Sequence, residues 1–278
     1  MKLLAVVSSY FPKLEELEEN IQSYLPWVDK LIIWENTPKE QSKIKELTDK
    51  LNCDKIQVRT TGENEFLAKP FNICVQWAKE NGYTHILTMD QDSKFENGNF
   101  ERYIELVKNC TDDKIGCFSP NIGNKRTSSK EIIAIETAIT SGAIYPLSVF
   151  DNIGLFDEKL LIDCVDTEFC LRAHTHNIKT VCVTSINLLH HLGSFKKTKV
   201  GLLLNNYSAQ RTYYLLRNRI LIEKKYPKYD DNKKSFFKYQ LFYRIIKVIL
   251  EKDSLRKIKA ILLALIHASK GKSGRYNI

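Results

Sequence analysis

Ile86-Leu87-Thr88-Met89 leads directly into Asp90-Gln91-Asp92. Two carboxylates at i and i+2, where a strand gives way to a loop, can both reach one hard cation. So sparse a site suits Mg2+ or Mn2+, whose remaining ligands are water and phosphate oxygens. The same triplet also makes an ordinary solvated turn; its place right after an apolar strand favours the ligand role. A second dense stretch runs from Gly154 to Arg172, with Asp157, Glu158, Asp163, Asp166 and Glu168 set among aliphatic residues. Val165 to His174 is helical in character, which puts Asp166 in a first turn, where the positive helix end helps keep it ionised. An ionised Asp facing a cleft can serve as a general base. Asp163 or Asp166 could equally cap the helix.

These residues need elements to position them. Leu3–Val7 is a β-branched and aliphatic run ending in Ser8 and Ser9. Pro12 then opens a helix with apolar positions Leu14, Leu17, Ile21, Tyr24 and Leu25. Leu31–Trp34 reads as a second strand, ending at Glu35-Asn36-Thr37-Pro38, followed by a polar helix and a short strand at Ile56–Val58. Residues 68–80 read as a helix with Phe71, Val75 and Ala78 on one side, and His85–Met89 as a strand. This β-α-β-α-β order predicts an open, largely parallel sheet with helices on its faces. Ligands of such sheets lie beyond the carboxyl ends of the strands, where Ser8, Ser9, Glu35, Asn36, Asp90 and Asp92 collect. A Gly-rich GxGxxG or Walker loop is absent, which excludes an ordinary dinucleotide fold and a P-loop enzyme.

The 278 residues fit one larger domain, or one domain with an appendage, and 43% hydrophobic residues supply a core. Seven cysteines without a CxxC pair read as buried thiols in a reducing cytosol. The N-terminal MKLLAVVSSY runs straight into a strand and lacks a signal-peptide pattern. Near the other end, the charge-free stretch Ala260–Ser269 is too short to span a bilayer. The net charge of +9 is unevenly distributed: residues 1–195 carry 21 Lys/Arg against 28 Asp/Glu, and residues 196–278 carry 21 against 5. A basic part of this kind meets an anionic partner or is simply a solvated face. Beyond about residue 230, Tyr239, Phe242, Ile246, Ile249 and Leu250 interleave with Lys238, Arg244 and Lys247. Leu255, Ile258, Leu262 and Leu265 alternate with Arg256, Lys257 and Lys259. Both segments read as basic amphipathic helices.

With these motifs in order, the sequence resembles the inverting family-2 glycosyltransferases of GT-A fold, bacterial rhamnosyltransferases in particular. Val7-Ser-Ser-Tyr10-Phe-Pro12 is similar to their "TYNP" strand end and Trp34-Glu35-Asn36-Thr37 to their "VDNSS" turn. Asn64-x-x-x-Ala68-x-x-x-Asn72 resembles N-x-G-x-A-x-A-x-N-x-G, and Leu87-Thr-Met-Asp90-Gln91-Asp92-Ser93 matches "LDQDS". Ser141-Gly142 and Gly154–Arg172 resemble "SG…GxFDExxFIDxVDxEFxxR". His190-His-Leu-Gly193 and Tyr214-x-x-Arg217-Asn218 resemble "HxLG" and "YYxxRN". The likeness covers roughly residues 3–220, and its specific parts are DQDS and IDxVDxEFxxR. Glu35 replaces the usual Asp, Phe11 replaces Asn, and Phe66 and Cys74 stand where glycines are common; these departures bear on the shape of the nucleotide pocket.

The resemblance implies an α/β GT-A catalytic domain over residues 1–225, with a mostly parallel central sheet and flanking helices. Residues 226–278 would form a basic helical extension for a membrane surface or oligomerisation. It implies a nucleotide-sugar donor, dTDP-rhamnose foremost and UDP-galactofuranose as the alternative, and a polysaccharide or polyprenyl-linked acceptor. Asp92, with Asp90 and His190, would hold Mg2+ or Mn2+ against the diphosphate, and Asp166 would deprotonate the acceptor hydroxyl. Ser9, Tyr10, Glu35, Lys69, Asn72, Asp90 and Gln91 would bind the donor, Glu35 accepting from a pyrimidine imide. Arg211 and Arg217 would fork onto the diphosphate or belong to the basic face. The expected location is cytoplasmic, peripheral at the anionic inner face of the plasma membrane, with a homodimer as the other use of the helical faces.

Three other classes fit less well. A haloacid-dehalogenase-type phosphatase wants Thr or Val two residues after the second Asp, where Lys94 stands. A sugar nucleotidyltransferase needs a Gly-rich N-terminal loop. For a nucleic-acid binder, the continuous aliphatic run Ile261-Leu262-Leu263 suits lipid or helix packing better than bases.

Overall fold

The computed structural model describes residues 1–96, 98–190, 196–197, 203–227 and 234–278, with backbone alone at 196–197, 203 and 234–240. Along the first half, β1 (Leu3–Ser9), α1 (Leu14–Gln22), β2 (Lys30–Glu35), α2 (Ile44–Leu51), β3 (Ile56–Arg59), α3 (Ala68–Glu80) and β4 (His85–Asp90) follow one another. Each strand coincides with an aliphatic run, and β1 is buried along its whole length, as befits a parallel strand covered by helices on both faces. α1 ends at Gln22, short of Tyr24 and Leu25, and a single 3-10 turn spans Leu25–Trp27. Pro26 accounts for that end, because proline disfavours helical geometry in the residue before it and lacks the N–H a helix needs. Residues 68–80 are helical with Phe71, Val75 and Ala78 fully buried, as their spacing predicts.

The chain continues through β5 (Ser93–Phe95), α4 (Asn99–Asn109), β6 (Ile115–Ile122), β7 (Ile132–Ile135), β8 (Ala143–Pro146), α5 (Val149–Ile153), α6 (Val165–Thr175) and β9 (Lys179–His190). The sheet runs β3-β2-β1-β4-β8-β6-β9-β5, with β7 also on β9. Its first four strands are parallel, and antiparallel pairing enters at β8. Gly142, just before β8, has φ +78°, and a Cβ there would lie 2.7 Å from Pro120 Cγ. Only glycine fits that turn.

The chain divides into two compact units, one of residues 1–156 and 166–191, the other of 157–165 and 192–278. The second holds a two-stranded ladder, β10 (Lys196–Lys197) with β11 (Leu203–Leu204), and three helices: α7 (Ala209–Lys225), α8 (Lys234–Leu250) and α9 (Ser254–Ser269). The 225/226 boundary expected from sequence thus falls inside this unit, at the end of α7. α7 packs on α9. Small residues Ala260, Ala264 and Ala268, spaced four apart and buried, permit close approach. The Tyr213 hydroxyl pairs with His267 Nδ1 at 2.7 Å. Among the described residues, no helix is long and apolar enough to cross a membrane.

Candidate donor and metal site

Parallel pairing sets three strand ends side by side in the first unit. Ser8 lies opposite Asp90, and Ser9 opposite Glu35. Both serines are buried: the Ser9 hydroxyl donates to the Trp34 carbonyl, and the Ser8 hydroxyl accepts from the Asn36 amide at 3.0 Å. Asn36 also donates to the Phe66 carbonyl at 2.9 Å and accepts from the Glu65 N–H at 2.9 Å. It thereby ties the β2 end to the loop before α3. Glu35 is buried, and its two carboxylate oxygens accept from the Thr37 N–H at 2.7 Å and the Ser42 hydroxyl at 3.1 Å. Its carboxylate organises its own turn.

The Asp90-Gln91-Asp92 loop is held from three sides. The Asp90 N–H donates to Ser141 Oγ at 3.2 Å, and the Gln91 carbonyl accepts from the buried Asn20 amide on α1 at 2.8 Å. The Gln91 side chain exchanges two hydrogen bonds with the Tyr10 backbone. Tyr10 itself is 48% exposed, its ring edge-on to that of Phe11 at 4.7 Å. Phe11 adopts φ +45° and donates its N–H to Thr37 Oγ1 at 2.8 Å.

Antiparallel pairing of β5 with β9 places Ser93 opposite His190, which carries the imidazole to the acidic loop. His190 Nε2 lies 3.3 Å from Asp92 Oδ1 and 3.8 Å from Asp90 Oδ2. Ligand atoms of all three residues fall within 4.8 Å of one another. Burial opposes charging of this ring, but the hydrogen bond to Asp92 and the charges of Asp90 and Asp92 outweigh it and raise its pKa. Two carboxylates and an imidazole form a donor set that fits a divalent ion. The rest of the HxLG piece lies outside the described residues.

α6 begins at Val165, with Asp166 and Glu168 in its first turn, as the pattern predicts. Asp166 accepts from the Thr167 N–H at 2.7 Å. Glu168 is buried and bound by Arg172, with Nη2 to Oε2 at 2.9 Å. Arg172 also donates to the Ile153, Gly154 and Leu155 carbonyls. Glu168 and Arg172 therefore brace the GLFDE turn, and Asp166, in the same first turn, is half-buried.

Two expected donor residues lie elsewhere in the hydrogen-bond network. Asn72 is buried, donating to the Phe156 carbonyl and accepting from the Phe156 N–H, each at 2.9 Å; it anchors the same turn to α3. Lys69 pairs with Glu65 at 2.8 Å, one helical turn away. In the second unit, Arg211 extends from α7 to Asp163 at 3.2 Å. Arg217 is 1% exposed. Its guanidinium donates to the Gly274 and Lys159 carbonyls and to Asn218 Oδ1, and Tyr213 and Tyr214 lie 5.2 and 4.9 Å away. Burial and these acceptors give Arg217 a structural place in α7, a correction to the diphosphate role suggested by its type. Asn20 has no mark in the sequence as a site residue; it acts through a tertiary hydrogen bond, for which sequence carries no local signal.

With parallel strand ends, an Asp-x-Asp turn after β4 and an imidazole delivered by β9, the fold is similar to that of solved GT-A glycosyltransferases. GalNAc-T7 with UDP, GalNAc and Mn2+ matches 88% of this chain at TM-score 0.61 and 12% identity. The mannosyltransferase PcManGT of Pyrobaculum calidifontis, in complex with GDP-Man and Mn2+, matches 97% at TM-score 0.60 and 13% identity. TarS of S. aureus matches 98% at 0.53 and 13%. The chain spans 54% of the GalNAc-T7 chain, 75% of PcManGT and 53% of TarS. No family model matches the sequence. By sequence the chain is similar to the dTDP-rhamnosyl transferase RfbF of Shigella flexneri, 26% identical over 299 residues that take in 99% of this chain and 98% of that one.

Proposed function

We propose that this protein transfers L-rhamnose from dTDP-rhamnose, with inversion, to a saccharide on a lipid-linked glycan intermediate. The observation that carries the reading is the Asp90–Asp92–His190 cluster at the ends of β4 and β9, in a chain homologous end to end to a dTDP-rhamnosyl transferase. Asp92, Asp90 and His190 would hold Mg2+ or Mn2+, which supplies charge neutralisation for a departing nucleotide diphosphate. Tyr10 and Ser9 would line the donor pocket, with Gln91 fixing its edge. Asp166 would accept the proton of the acceptor hydroxyl as that oxygen bonds to C1 and the C1–O bond to the nucleotide diphosphate breaks. A single displacement of this kind inverts the anomeric centre.

The acceptor would be met at the inner face of the plasma membrane. Phe242, Ile249 and Leu250 on α8, and Leu255, Leu262 and Ile266 on α9, are exposed. Lys252, Arg256, Lys259 and Lys270, on or next to the same helices, are exposed too. This combination suits an anionic lipid interface.

Release of dTDP or UDP from a panel of nucleotide sugars, with divalent ion and a polyprenyl-linked acceptor, tests the donor. dTDP-rhamnose should be turned over, and a preference for UDP-galactofuranose would replace it with the galactofuranosyl reading. Asp166→Asn keeps the shape but removes the base, so turnover should fall by about 10²–10⁴ with donor binding retained. Near-normal turnover in that variant would remove Asp166 from the role.

A further inference from the structure

The loop that leads into α6 is bent against the preference of its own residues. Leu161, Asp163 and Cys164 all adopt left-handed backbone, with φ of +66°, +58° and +65°, and none of them is glycine. A Cβ makes that region unfavourable, so such residues persist there only where their surroundings enforce it. Local bonds supply part of the restraint: the Leu161 N–H donates to the Glu158 carbonyl at 3.2 Å, and the Ile162 N–H to the Leu160 carbonyl at 2.8 Å.

The rest comes from one side chain of α7. Asn218 is fully buried, and its amide nitrogen lies 2.8 Å from the Leu160 carbonyl oxygen, 2.8 Å from that of Ile162 and 3.0 Å from that of Asp163. An amide has two N–H groups, so the three carbonyls share them. The amide is also held in one orientation, because its oxygen accepts from Arg217 Nε at 3.0 Å and Nη2 at 2.8 Å. Reversed, it would set its NH2 against a guanidinium that only donates, and its oxygen against three carbonyls. Arg217 is fixed in turn. Its guanidinium donates to the Gly274 carbonyl and, at 3.1 Å, to the Lys159 carbonyl, which also accepts from the Gly274 N–H at 2.8 Å. Burying a guanidinium is costly, and the bonds made here spend its donors on setting one amide and one loop. All of these residues belong to the second unit.

Asp166 stands two residues past Cys164, in the first turn of α6. The direction in which a chain enters a helix follows from the φ and ψ of the residues just before it. We propose that Asn218, oriented by Arg217, is a positioning residue for Asp166: it holds residues 160–164 in the conformation that aims this carboxylate at the acceptor hydroxyl. The inference rests on Asp166 as the base of the proposed transfer. A base works only within hydrogen-bond reach of its proton, and misplacement by about 1 Å can cost about 10²-fold. A brace on the backbone beside the base therefore acts on kcat and leaves the donor alone.

Turnover of dTDP-rhamnose by four full-length proteins tests the role: wild type, Asn218→Ala, Asp166→Asn and the double variant. Calorimetry of dTDP with Mn2+ and amide hydrogen exchange over residues 160–167 accompany it. Asn218→Ala should lower kcat at least about tenfold, keep the donor KM and the dTDP affinity, and speed exchange in that segment. In the Asp166→Asn background the same substitution should change kcat by less than about twofold, because a residue that acts through the base has nothing to act on once the base is gone. A merely structural loss would multiply instead, so equal fold-losses in the two backgrounds overturn the proposal. Unchanged kcat, unchanged exchange, or a parallel loss of dTDP affinity in Asn218→Ala overturns it too. Should Asn218→Ala fail to fold, Asn218→Ser, whose hydroxyl has one proton for three carbonyls, takes its place in the same set under the same criteria. The base and its brace fail separately. If Asp166→Asn keeps near-normal turnover, Asp166 is not the base and the brace has no role through it. If Asp166→Asn is crippled and Asn218→Ala is not, the base stands and the positioning role is lost.

Discussion

The side chain of Gln91 completes a two-way hydrogen bond with the backbone of Tyr10: Oε1 accepts the Tyr10 N–H at 2.7 Å, and Nε2 donates to the Tyr10 carbonyl at 3.2 Å. The middle residue of the acidic triplet therefore sets the distance between the β1 end and the β4 end. Gln91→Ala should cost stability by only about 1–2 kcal/mol, because the freed backbone groups are near the surface and regain water. Donor affinity should fall several-fold. Gln91→Glu should do worse than Gln91→Asn, since it sets a carboxylate against the Tyr10 carbonyl. Nucleotide titrations of the three variants check the order.

Asp92 and His190 are joined at 3.3 Å, yet their removal should have unequal effects. Asp92→Ala takes away a charged ligand and should abolish the divalent dependence of nucleotide binding. His190→Ala leaves both carboxylates and should weaken Mn2+ without abolishing it. Mn2+ titrations with and without dTDP separate them. An Asp92→Ala protein with unaltered metal dependence would remove the cluster from donor binding.

His85, at the start of β4, is held at a pKa of about 4 by burial, against an ordinary 6.5. The unfolded chain takes up this proton first, so acid favours unfolding. Stability contributed by neutral His85 should be complete above about pH 6.5 and decline as pH falls toward 4. Thermal melts of wild type and His85→Gln across that range should therefore converge as pH falls. A constant difference in Tm would show that His85 does not carry the effect.

Lys257 and Glu251 form an ion pair at 2.8 Å with side chains 3% and 6% exposed. Lys257→Met leaves Glu251 buried and charged, and should destabilise by about 3–5 kcal/mol. Adding Glu251→Gln should recover part of that loss, because the stranded charge goes with it. Denaturant titrations of the single and double variants measure the coupling.

Leu255 is 82% exposed on α9, beside Arg256 and Lys259. Full-length protein should sediment with anionic vesicles at low salt and be released as salt rises. Leu255→Glu with Leu262→Glu should abolish sedimentation and leave donor binding intact. If the double variant instead splits a dimer in light scattering and lipid binding is unchanged, the face belongs to a second copy.

Much of this protein is written in local pattern. Apolar runs of four to seven residues mark β1, β2 and β4, since a strand covered on both faces needs no polar alternation. Helical spacing marks α3, and the triplet after β4 marks the acidic turn, because neighbours in sequence stay neighbours at a strand end. The charge split between residues 1–195 and 196–278 is likewise a property of composition alone. What tertiary structure decided is which polar side chains become partners, because hydrogen bonds and strand register join residues far apart along the chain. His190 reaches Asp92 only through the antiparallel register of β5 with β9. Asn72 is turned inward to the Phe156 backbone, and Arg217 to the carbonyls of Lys159 and Gly274. Arg211 and Arg244 lie on two helices of one basic stretch, and only the packing around Tyr207 sets both guanidiniums against one ring. Residue type announces what a side chain can bond; burial and register choose what it does bond.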